Sequence, residues 1–282
     1  MTGKILVTGA TGNIGGEIVR LLEGKNADFV AATNNRSIDG VDSVALNFAD
    51  IQSLEAAMPG ISTLFMVLEN HPDMITWGKN AIGTAKKCGV KHIVRSSGSL
   101  ADGNSSIDVR KVLAETDQYL KECGIDYTIT APQYFMQNFT NFHGDDYKNG
   151  AIYLPAGDGK VAWVDVRDIA AVNVDVLLNP EKYRNQTLTI TGPTALSYAE
   201  AVALLNNVLG KDTKYVAVSD EDAIKAMSEM EFPEFLIDLM IDLNQCIREG
   251  FAEETTTTVK DVTGNDPISF EQFVHDNKGA WH

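Results

Sequence analysis

The feature that most constrains the fold is a glycine-rich turn near the N-terminus. Residues 5–7 are an apolar run typical of a buried strand, glycines follow at positions 9, 12 and 15, and the next residues have an amphipathic helix pattern. Gly9 allows a tight turn, Gly12 lets the backbone approach a ligand, and Gly15 lets helix and strand pack closely. The first N–H groups of such a helix, with its dipole, attract anions. The pattern predicts a site for a nucleotide diphosphate; a turn that only connects two elements is the alternative.

Strand and helix patterns alternate through the first half of the sequence. Two of the helix patterns end in Cys-Gly directly before the next apolar run, where a left-handed glycine ends a helix. Strands are predicted at 5–7, 27–33, 43–48, 63–68, 91–97 and 126–131, and the longer helices at 73–87 and 106–121. This alternation predicts an α/β fold with a Rossmann-type, doubly wound parallel sheet and right-handed crossovers.

The second half has a different character, with an aromatic and amide-rich segment over 133–155. Beyond it, the patterns predict a strand over 161–168, a helix over 169–178, a strand over 187–191 and mainly helix from 197. Ser197 is predicted to be an N-cap, with Glu200 as its capping-box partner. Residues 221–249 carry a methionine-rich apolar face, for which a core position is favoured over a flexible lid above a pocket.

These changes of pattern suggest two domains. We expect a dinucleotide-binding Rossmann domain of residues 1–132 plus about 161–191. Residues 133–160 plus 192–282 are expected to form a smaller, mainly helical substrate-binding lobe.

Composition and charge limit the partners and the compartment. A net charge of −16 argues against nucleic acid, and no apolar run approaches the length that spans a membrane. Because a strand is predicted almost at the first residue, we expect no signal peptide, and the three cysteines lack ligand spacing. The five histidines show no paired spacing, so no metal is expected. We therefore expect a cytoplasmic monomer or homodimer that acts on a small molecule.

Six motifs along the chain carry a family resemblance. They are Val-Thr-Gly-Ala-Thr-Gly-Asn-Ile-Gly at 7–15, Cys-Gly-Val-Lys-His-Ile-Val at 88–94, Tyr-Thr-Ile-Thr-Ala-Pro at 127–132, Asp-Val-Arg-Asp-Ile-Ala at 165–170, Leu-Thr-Ile-Thr-Gly-Pro at 188–193 and Ile-Ser-Phe-Glu-Gln-Phe-Val at 268–274. Together they resemble the NmrA-like branch of the atypical short-chain dehydrogenases/reductases, close to NADPH-dependent quinone oxidoreductases, azoreductases and triphenylmethane reductases.

The resemblance implies a set of cofactor and substrate residues. For the cofactor these are Gly9, Thr11, Gly12, Asn13 and Ile14 at the pyrophosphate, Asn34, Asn35 and Arg36 at the adenosine ribose, Asn47 and Phe48 at the adenine, Val67 and Leu68 near the other ribose, Ser97 and Gly98 at the end of strand five, and Pro132, Tyr134 and Phe135 behind the nicotinamide ring. For the substrate they are His71, Tyr134, Phe135 and Asn138, with Trp77 nearby; the aromatic run from Tyr134 to Phe142 would suit a flat acceptor.

Arg36 bears on the choice between NADP(H) and NAD(H). An NAD site would offer an acidic side chain after strand two, whereas this chain has Asn34, Asn35 and Arg36. Relatives often carry their arginine at the position that matches Asn34, so Arg36 must reach from two residues later. Pairing of Arg36 with a 2′-phosphate favours NADP(H); a solvated loop charge is the alternative.

The catalytic signature of tyrosine-dependent relatives is absent. None of the eight tyrosines has a lysine four residues later. Lys111 is a weak substitute, because a solvated helix charge explains it better, and the Ser96-Ser97-Gly98 turn lacks the Gly-x-Ser-x-Gly pattern of hydrolases. Two functions remain: an NADPH-dependent oxidoreductase that passes hydride to an electron-poor aromatic acceptor, and a non-catalytic NADP-sensing regulator.

Overall fold

The computed structural model describes residues 3–34 and 37–281. The chain divides into two compact units. The first unit consists of residues Met1–Gly103, Val112–Ala131 and Val166–Thr189, and the second unit of Asn104–Lys111, Pro132–Asp165 and Ile190–His282. The boundaries of the Rossmann domain and of the substrate-binding lobe that we expect from the sequence stay a prediction.

The strands form one large sheet and two small ones. Their bounds are β1 Lys4–Val7, β2 Phe29–Thr33, β3 Ser43–Ala45, β4 Ile61–Val67, β5 His92–Ser96, β6 Asp126–Pro132, β7 Ala151–Leu154, β8 Lys160–Val161, β9 Gln186–Ile190, β10 Leu196–Ser197 and β11 Lys214–Ala217. The large sheet has seven strands in the order β3-β2-β1-β4-β5-β6-β9. The small sheets pair β8 with β10 and β7 with β11.

Helices connect the strands. Their bounds are α1 Asn13–Gly24, α2 Ile51–Ala57, α3 Met74–Lys87, α4 Asp108–Glu122, α5 Asn138–Asn141, α6 Gly144–Lys148, α7 Val166–Leu178, α8 Tyr198–Leu209, α9 Asp220–Glu229, α10 Glu234–Arg248, α11 Thr258–Thr263 and α12 Phe270–Asp276. Short 3₁₀ helices occupy Pro180–Tyr183 and Lys278–Trp281. Within 3–34 and 37–281, no helix has both the length and the apolar character that crossing a bilayer requires.

The large sheet confirms the predicted fold class. The pairs from β3 through β6 are parallel. Residue numbers also rise together along β6 and β9, since the Asn185 N–H donates to Tyr127 O and the Gln133 N–H donates to Ile190 O. The order reverses between β1 and β4, which makes the carboxyl ends of these two strands the topological switch point where such sheets bind ligands.

Local end signals were predicted correctly. Gly89 and Gly124, which lie two residues beyond the ends of α3 and α4, both have φ of +81°, the left-handed backbone that glycine adopts without strain. The capping box at the start of α8 is also present: the Ser197 hydroxyl accepts from the Glu200 N–H, and the Glu200 carboxylate accepts from the Ser197 N–H.

The strand predicted over 161–168 is wrong in extent. Regular pairing covers only Lys160–Val161, and α7 begins at Val166 instead of 169. Between Val161 and α7 the structure has only an isolated bridge of Val164 with Phe135, and the backbone groups of these residues bond to separate segments rather than to one strand. The Ala162 N–H donates to Ala252 O, and the Val164 N–H donates to Tyr134 O. An apolar run alone does not distinguish these arrangements.

The core interpretation of 221–249 is wrong for α9. None of the α9 residues is buried, and Met230, which follows it, is 62% exposed. In α10 only Ile237, Asn244, Cys246 and Ile247 are buried. The apolar face is therefore exposed at Ile224, Met230 and Phe235 and half-buried along most of α10, and helical periodicity alone could not show this.

Aromatic side chains form the core of the second unit. Phe139 has edge-on contacts to Trp163 and Phe270, with ring centroids 5.0 and 4.9 Å apart. Such edge-to-face pairs stabilise a core beyond the area they bury. Trp281 anchors the C-terminal segment, since its indole N–H donates to Phe139 O over 3.1 Å.

Candidate functional site

The glycine turn after β1 needs glycine at two positions for packing reasons. Gly9 has φ of +62°, and a Cβ built there would lie 2.6 Å from Cγ1 of Val67. A Cβ on Gly15 would lie 2.2 Å from the carbonyl oxygen of Gly9, so helix α1 can approach the turn only without a side chain. At Gly12 the nearest atom is 3.3 Å away, so protein packing constrains this position less.

The N-terminus of α1 is suited to an anion. The N-cap of this helix is Gly12. Among the described residues no side chain caps the helix, and its first turn has no acidic residue. Gly9, Thr11, Gly12 and Asn13 are exposed, and Ile14 is buried beneath them. Exposed backbone, a helix dipole and the absence of a competing carboxylate fit a diphosphate. The residues present therefore fit the phosphate end of a dinucleotide.

Thr8 joins the two strands at the switch point, although it was not among the site residues predicted from the sequence. Its hydroxyl oxygen accepts from the Val67 N–H over 3.0 Å, and its own backbone N–H donates to Phe65 O. Where β1 and β4 separate, the Thr8 hydroxyl thus takes the place of the backbone carbonyl that would otherwise accept from the Val67 N–H. Thr8 thereby fixes the start of the glycine turn against Val67, one of the predicted cofactor residues.

The predicted adenosine residues lie beyond β2 and β3. Asn34 is exposed, while Asn35 and Arg36 lie outside the described residues. Asn47 is exposed and folds the chain out of β3, since its Oδ1 accepts from the Ala49 N–H over 2.9 Å. This turn is why β3 ends at Ala45 rather than at 48. Phe48 is half-buried against the core of the first unit.

Ser97 follows β5 and belongs to a buried polar cluster. Its hydroxyl donates to Oδ2 of Asp117 in α4 over 2.8 Å. Oδ1 of Asp117 accepts from Nε of Arg95, in β5, over 2.5 Å. Gly98 lies against Leu113, whose Cδ1 would be 3.1 Å from an added Cβ. Arg95 and Asp117 were not among the site residues predicted from the sequence, although an arginine directly after the apolar residues Ile93 and Val94 was a signal.

His71 and Trp77 lie against each other, and their expected place beside the substrate stays a prediction. Their rings stack with centroids 4.1 Å apart and planes 16° from parallel, in the segment from β4 into α3. His71 Nδ1 accepts from the Asp73 N–H over 3.1 Å, which fixes the ring orientation. Val67 and Leu68, at the end of β4, are both half-buried.

Lys111 occupies an exposed face of α4. Its Nζ lies 2.5 Å from Oδ1 of Asp108, one turn earlier, and its side chain is 44% exposed. This i, i+3 pair is typical of a solvated helix surface. Its catalytic role stays a prediction from the sequence.

The remaining predicted residues belong to the second unit. The Tyr134 hydroxyl donates to Leu243 O over 2.7 Å, and its ring lies edge-on to Trp163. Burial raises the pKa of Tyr134 well above its ordinary value. Pro132 is buried, Phe135 and Asn138 are half-buried, and Asn138 begins α5. The hydroxyl proton of Tyr134 is therefore used in a hydrogen bond that links the residues after β6 to α10.

Comparison with known proteins agrees with this geometry. The sheet order and the uncapped helix at a glycine turn define a dinucleotide-binding protein of the Rossmann type. The model of the NmrA-like family matches residues 1–262, and the chain belongs to this family. The predicted family and the predicted class of enzyme, an NAD(P)H-dependent oxidoreductase, are confirmed.

Relatives and solved structures cover nearly the whole chain. The NAD(P)H azoreductase of Xenophilus azovorans is 37% identical over 98% of this chain and 99% of the relative. Quinone oxidoreductase 2 of Escherichia coli is 24% identical over 96% of this chain and 97% of the relative. The triphenylmethane reductase of Citrobacter sp., solved in complex with NADP(H), has a TM-score of 0.85 at 25% identity, with coverage of 96% and 99%.

Proposed function

We propose that this chain transfers hydride from NADPH to an electron-poor aromatic acceptor of the quinone, azo or triarylmethane type, without a tyrosine acid. The observation that carries the proposal is the glycine turn, where exposed backbone meets the uncapped N-terminus of α1. The similar proteins include an azoreductase, a quinone oxidoreductase and a triphenylmethane reductase, and their activities support this class of acceptor. Bound NADPH supplies the hydride, and the protein binds, orients and shields the reactants.

The proposed cofactor contacts follow the carboxyl ends of the strands. Gly9, Thr11, Gly12, Asn13 and Ile14 hold the pyrophosphate; Asn34, Asn35, Arg36, Asn47 and Phe48 hold the adenosine half; Val67, Leu68, Ser97 and Gly98 hold the nicotinamide half. For Pro132, Tyr134 and Phe135 at the nicotinamide ring, and for His71 and Asn138 at the substrate, the family resemblance is the support.

The preference for NADPH rests on Arg36 and the asparagines before it. A guanidinium pairs with a phosphate through two parallel hydrogen bonds, and an acidic side chain that would repel the 2′-phosphate is absent from 34–36. Equal affinities for NADPH and NADH in a titration would overturn this preference.

The tyrosines support a reaction without a phenol acid. A tyrosine acid needs a lowered pKa, whereas burial raises the pKa of Tyr134, Tyr147 and Tyr215. The hydroxyl protons of these residues also have acceptors: Leu243 O for Tyr134, Asn206 Oδ1 for Tyr147, and Leu154 O or Gly157 O for Tyr215. Hydride transfer to an electron-poor acceptor does not require such an acid.

NADPH oxidation with a panel of acceptors tests the proposal. We expect turnover with at least one of a naphthoquinone, an azo dye and a triarylmethane dye, and faster turnover with NADPH than with NADH. Tight NADPH binding without turnover on any acceptor would contradict the enzyme and favour the NADP-sensing alternative.

A further inference from the structure

A buried ion pair lies beside the carboxyl end of β5. Arg95 is 1% exposed, and its Nε donates to Oδ1 of Asp117, which is also buried. A guanidinium stays protonated in a protein, so Asp117 faces a permanent positive charge. Burying two charges costs desolvation that their attraction often only balances. The pair therefore contributes little net stability relative to apolar residues of the same volume.

The second carboxylate oxygen of Asp117 fixes the direction of the Ser97 hydroxyl proton. Oδ2 accepts from the Ser97 hydroxyl over 2.8 Å, and the Ser97 N–H donates to Thr130 O over 2.8 Å. Because a carboxylate only accepts and a serine hydroxyl has one proton, that proton must point to Asp117. What Ser97 Oγ offers to any further group is its lone pairs. Ser97 is thus held as a hydrogen-bond acceptor.

We propose that Ser97 accepts a hydrogen bond from the bound dinucleotide, and that Asp117 and Arg95 are positioning residues that fix its direction. Ser97 is half-exposed just beyond a parallel strand, at the edge where such sheets bind ligands. The donor is an N–H of the nicotinamide carboxamide or an O–H of a ribose. It follows that Ser97 does not donate to a carbonyl of the hydride acceptor. This inference rests on the proposed function.

Substitution of Ser97 tests the contact itself. By fluorescence titration without any acceptor, S97A weakens NADPH binding about five- to tenfold, the usual worth of one hydrogen bond. S99A is the matched control, since the Ser99 hydroxyl is buried without a protein partner in the described residues; its affinity stays within about twofold of the native protein. S97T, which restores a hydroxyl, recovers most of the loss. Equal binding by S97A and the native protein would overturn the proposal.

The steady-state parameters separate an acceptor from a donor. The loss in S97A falls mainly on the KM for NADPH, because the hydroxyl proton takes no part in the reaction. A loss of about 100-fold or more in kcat with unchanged NADPH affinity would show that Ser97 donates to the reacting carbonyl, and would overturn the proposal. If the native protein does not bind NADPH, the proposed function itself fails, which is a distinct outcome.

A double-mutant cycle tests the positioning residues. In D117N the amide donates to Ser97 and turns the hydroxyl proton outward, so we expect NADPH affinity to change at least about threefold. The same substitution in the S97A background has no further effect, because Asp117 acts through Ser97. Additive effects, or no effect of D117N alone, would contradict the positioning role. If D117N does not fold, R95M/D117L replaces the pair with apolar residues of similar volume and tests the same point.

A cofactor analogue distinguishes the two donors. The 3-acetylpyridine analogue of NADP lacks the carboxamide N–H. If the amide is the donor, the native preference for NADP over this analogue disappears in S97A. If a ribose hydroxyl is the donor, S97A weakens both ligands equally. Stronger binding of both ligands by S97A would contradict either assignment.

Discussion

Gly15 is the residue at which the geometry of the phosphate site is least tolerant. A Cβ there would lie 2.2 Å from the Gly9 carbonyl oxygen and 2.6 Å from the Gly9 carbonyl carbon, both backbone atoms that cannot turn aside. We expect Gly15→Ala to displace the turn, to lower the free energy of unfolding by about 2 kcal/mol and to weaken NADPH binding more than about tenfold.

The control for this prediction is Gly24→Ala, at the other end of α1. An added Cβ there meets nothing within 4 Å, so the change is neutral or stabilises by up to about 1 kcal/mol. Thermal unfolding and fluorescence titration of both variants decide the matter. Equal NADPH affinity in the two would contradict the proposed role of the turn.

Arg36 is the residue on which cofactor choice is proposed to depend. We expect Arg36→Ala to weaken NADPH binding about tenfold or more and to leave NADH binding unchanged, since only NADPH carries the 2′-phosphate. Arg20→Ala is the control, because Arg20 is exposed and already pairs with Glu17 over 2.7 Å. Parallel losses for both cofactors would refute the assignment.

His92 gives the fold a predictable dependence on pH. The residue is buried in β5, and its Nε2 lies 2.9 Å from Thr128 Oγ1, whose own proton goes to Tyr183 O. His92 therefore donates from Nε2 as a neutral ring, and burial lowers its pKa from 6.5 to about 4. Between these values the unfolded chain binds the proton and the folded chain does not.

Stability must therefore fall as the pH is lowered from about 6.5 towards 4, and the contribution levels off outside this window. The loss of unfolding free energy attributable to His92 reaches about 3 kcal/mol. Denaturant titrations of the native protein and His92→Gln across this range measure it. Curves of identical pH dependence would show that His92 is not responsible.

At the level of the elements, we expect substitutions in the methionine-rich segment and in the core of the first unit to change the free energy of unfolding by very different amounts. Met58 is fully buried in the core of the first unit, whereas Met230 is 62% exposed after α9. We expect Met58→Ala to cost about 2–5 kcal/mol and Met230→Ala less than about 0.5 kcal/mol. Chemical denaturation of both variants gives the comparison, and similar losses would contradict the exposed position of Met230.

The elements also show why part of the fold was predictable from the sequence. The strand–turn–helix at Gly9 and the glycine after α3 are local signals, because backbone conformation and side-chain volume act within a few residues. The residues around Val164 were wrongly predicted to form a regular strand. Their hydrogen-bond partners come from distant segments that no local pattern reveals.

The candidate site also has a part that could be predicted from the sequence and a part that could not. The phosphate turn follows from the sequence, because its chemistry is that of the backbone. The contact of Arg95 with Asp117 joins residues 22 positions apart on two elements, and Thr8 acts through a strand 59 positions away. Such side-chain partnerships depend on tertiary packing, so the sequence predicted Ser97 as a site residue without predicting what orients it.

At the scale of the whole molecule, we propose that catalysis depends on how the protein arranges cofactor and acceptor rather than on a side-chain acid. The first unit offers a sheet with its switch point at β1 and β4, and an anion-binding helix terminus beside it. Among the tyrosines with a shifted pKa in the described chain, every shift is upward, which is unfavourable for a phenol acid. We therefore propose that NADPH transfers hydride directly to the acceptor.

Isotope transfer to a triarylmethane dye tests that claim most directly. Hydride addition to the central carbon of the dye cation gives a neutral product with a carbon–hydrogen bond that does not exchange with water. With NADPH deuterated at both C4 positions, we predict one deuterium per molecule of reduced dye, measured by mass spectrometry, and one NADP⁺ formed for each. Reduced dye without deuterium, or NADPH binding with no dye reduction and no turnover on the other acceptors, would contradict the account.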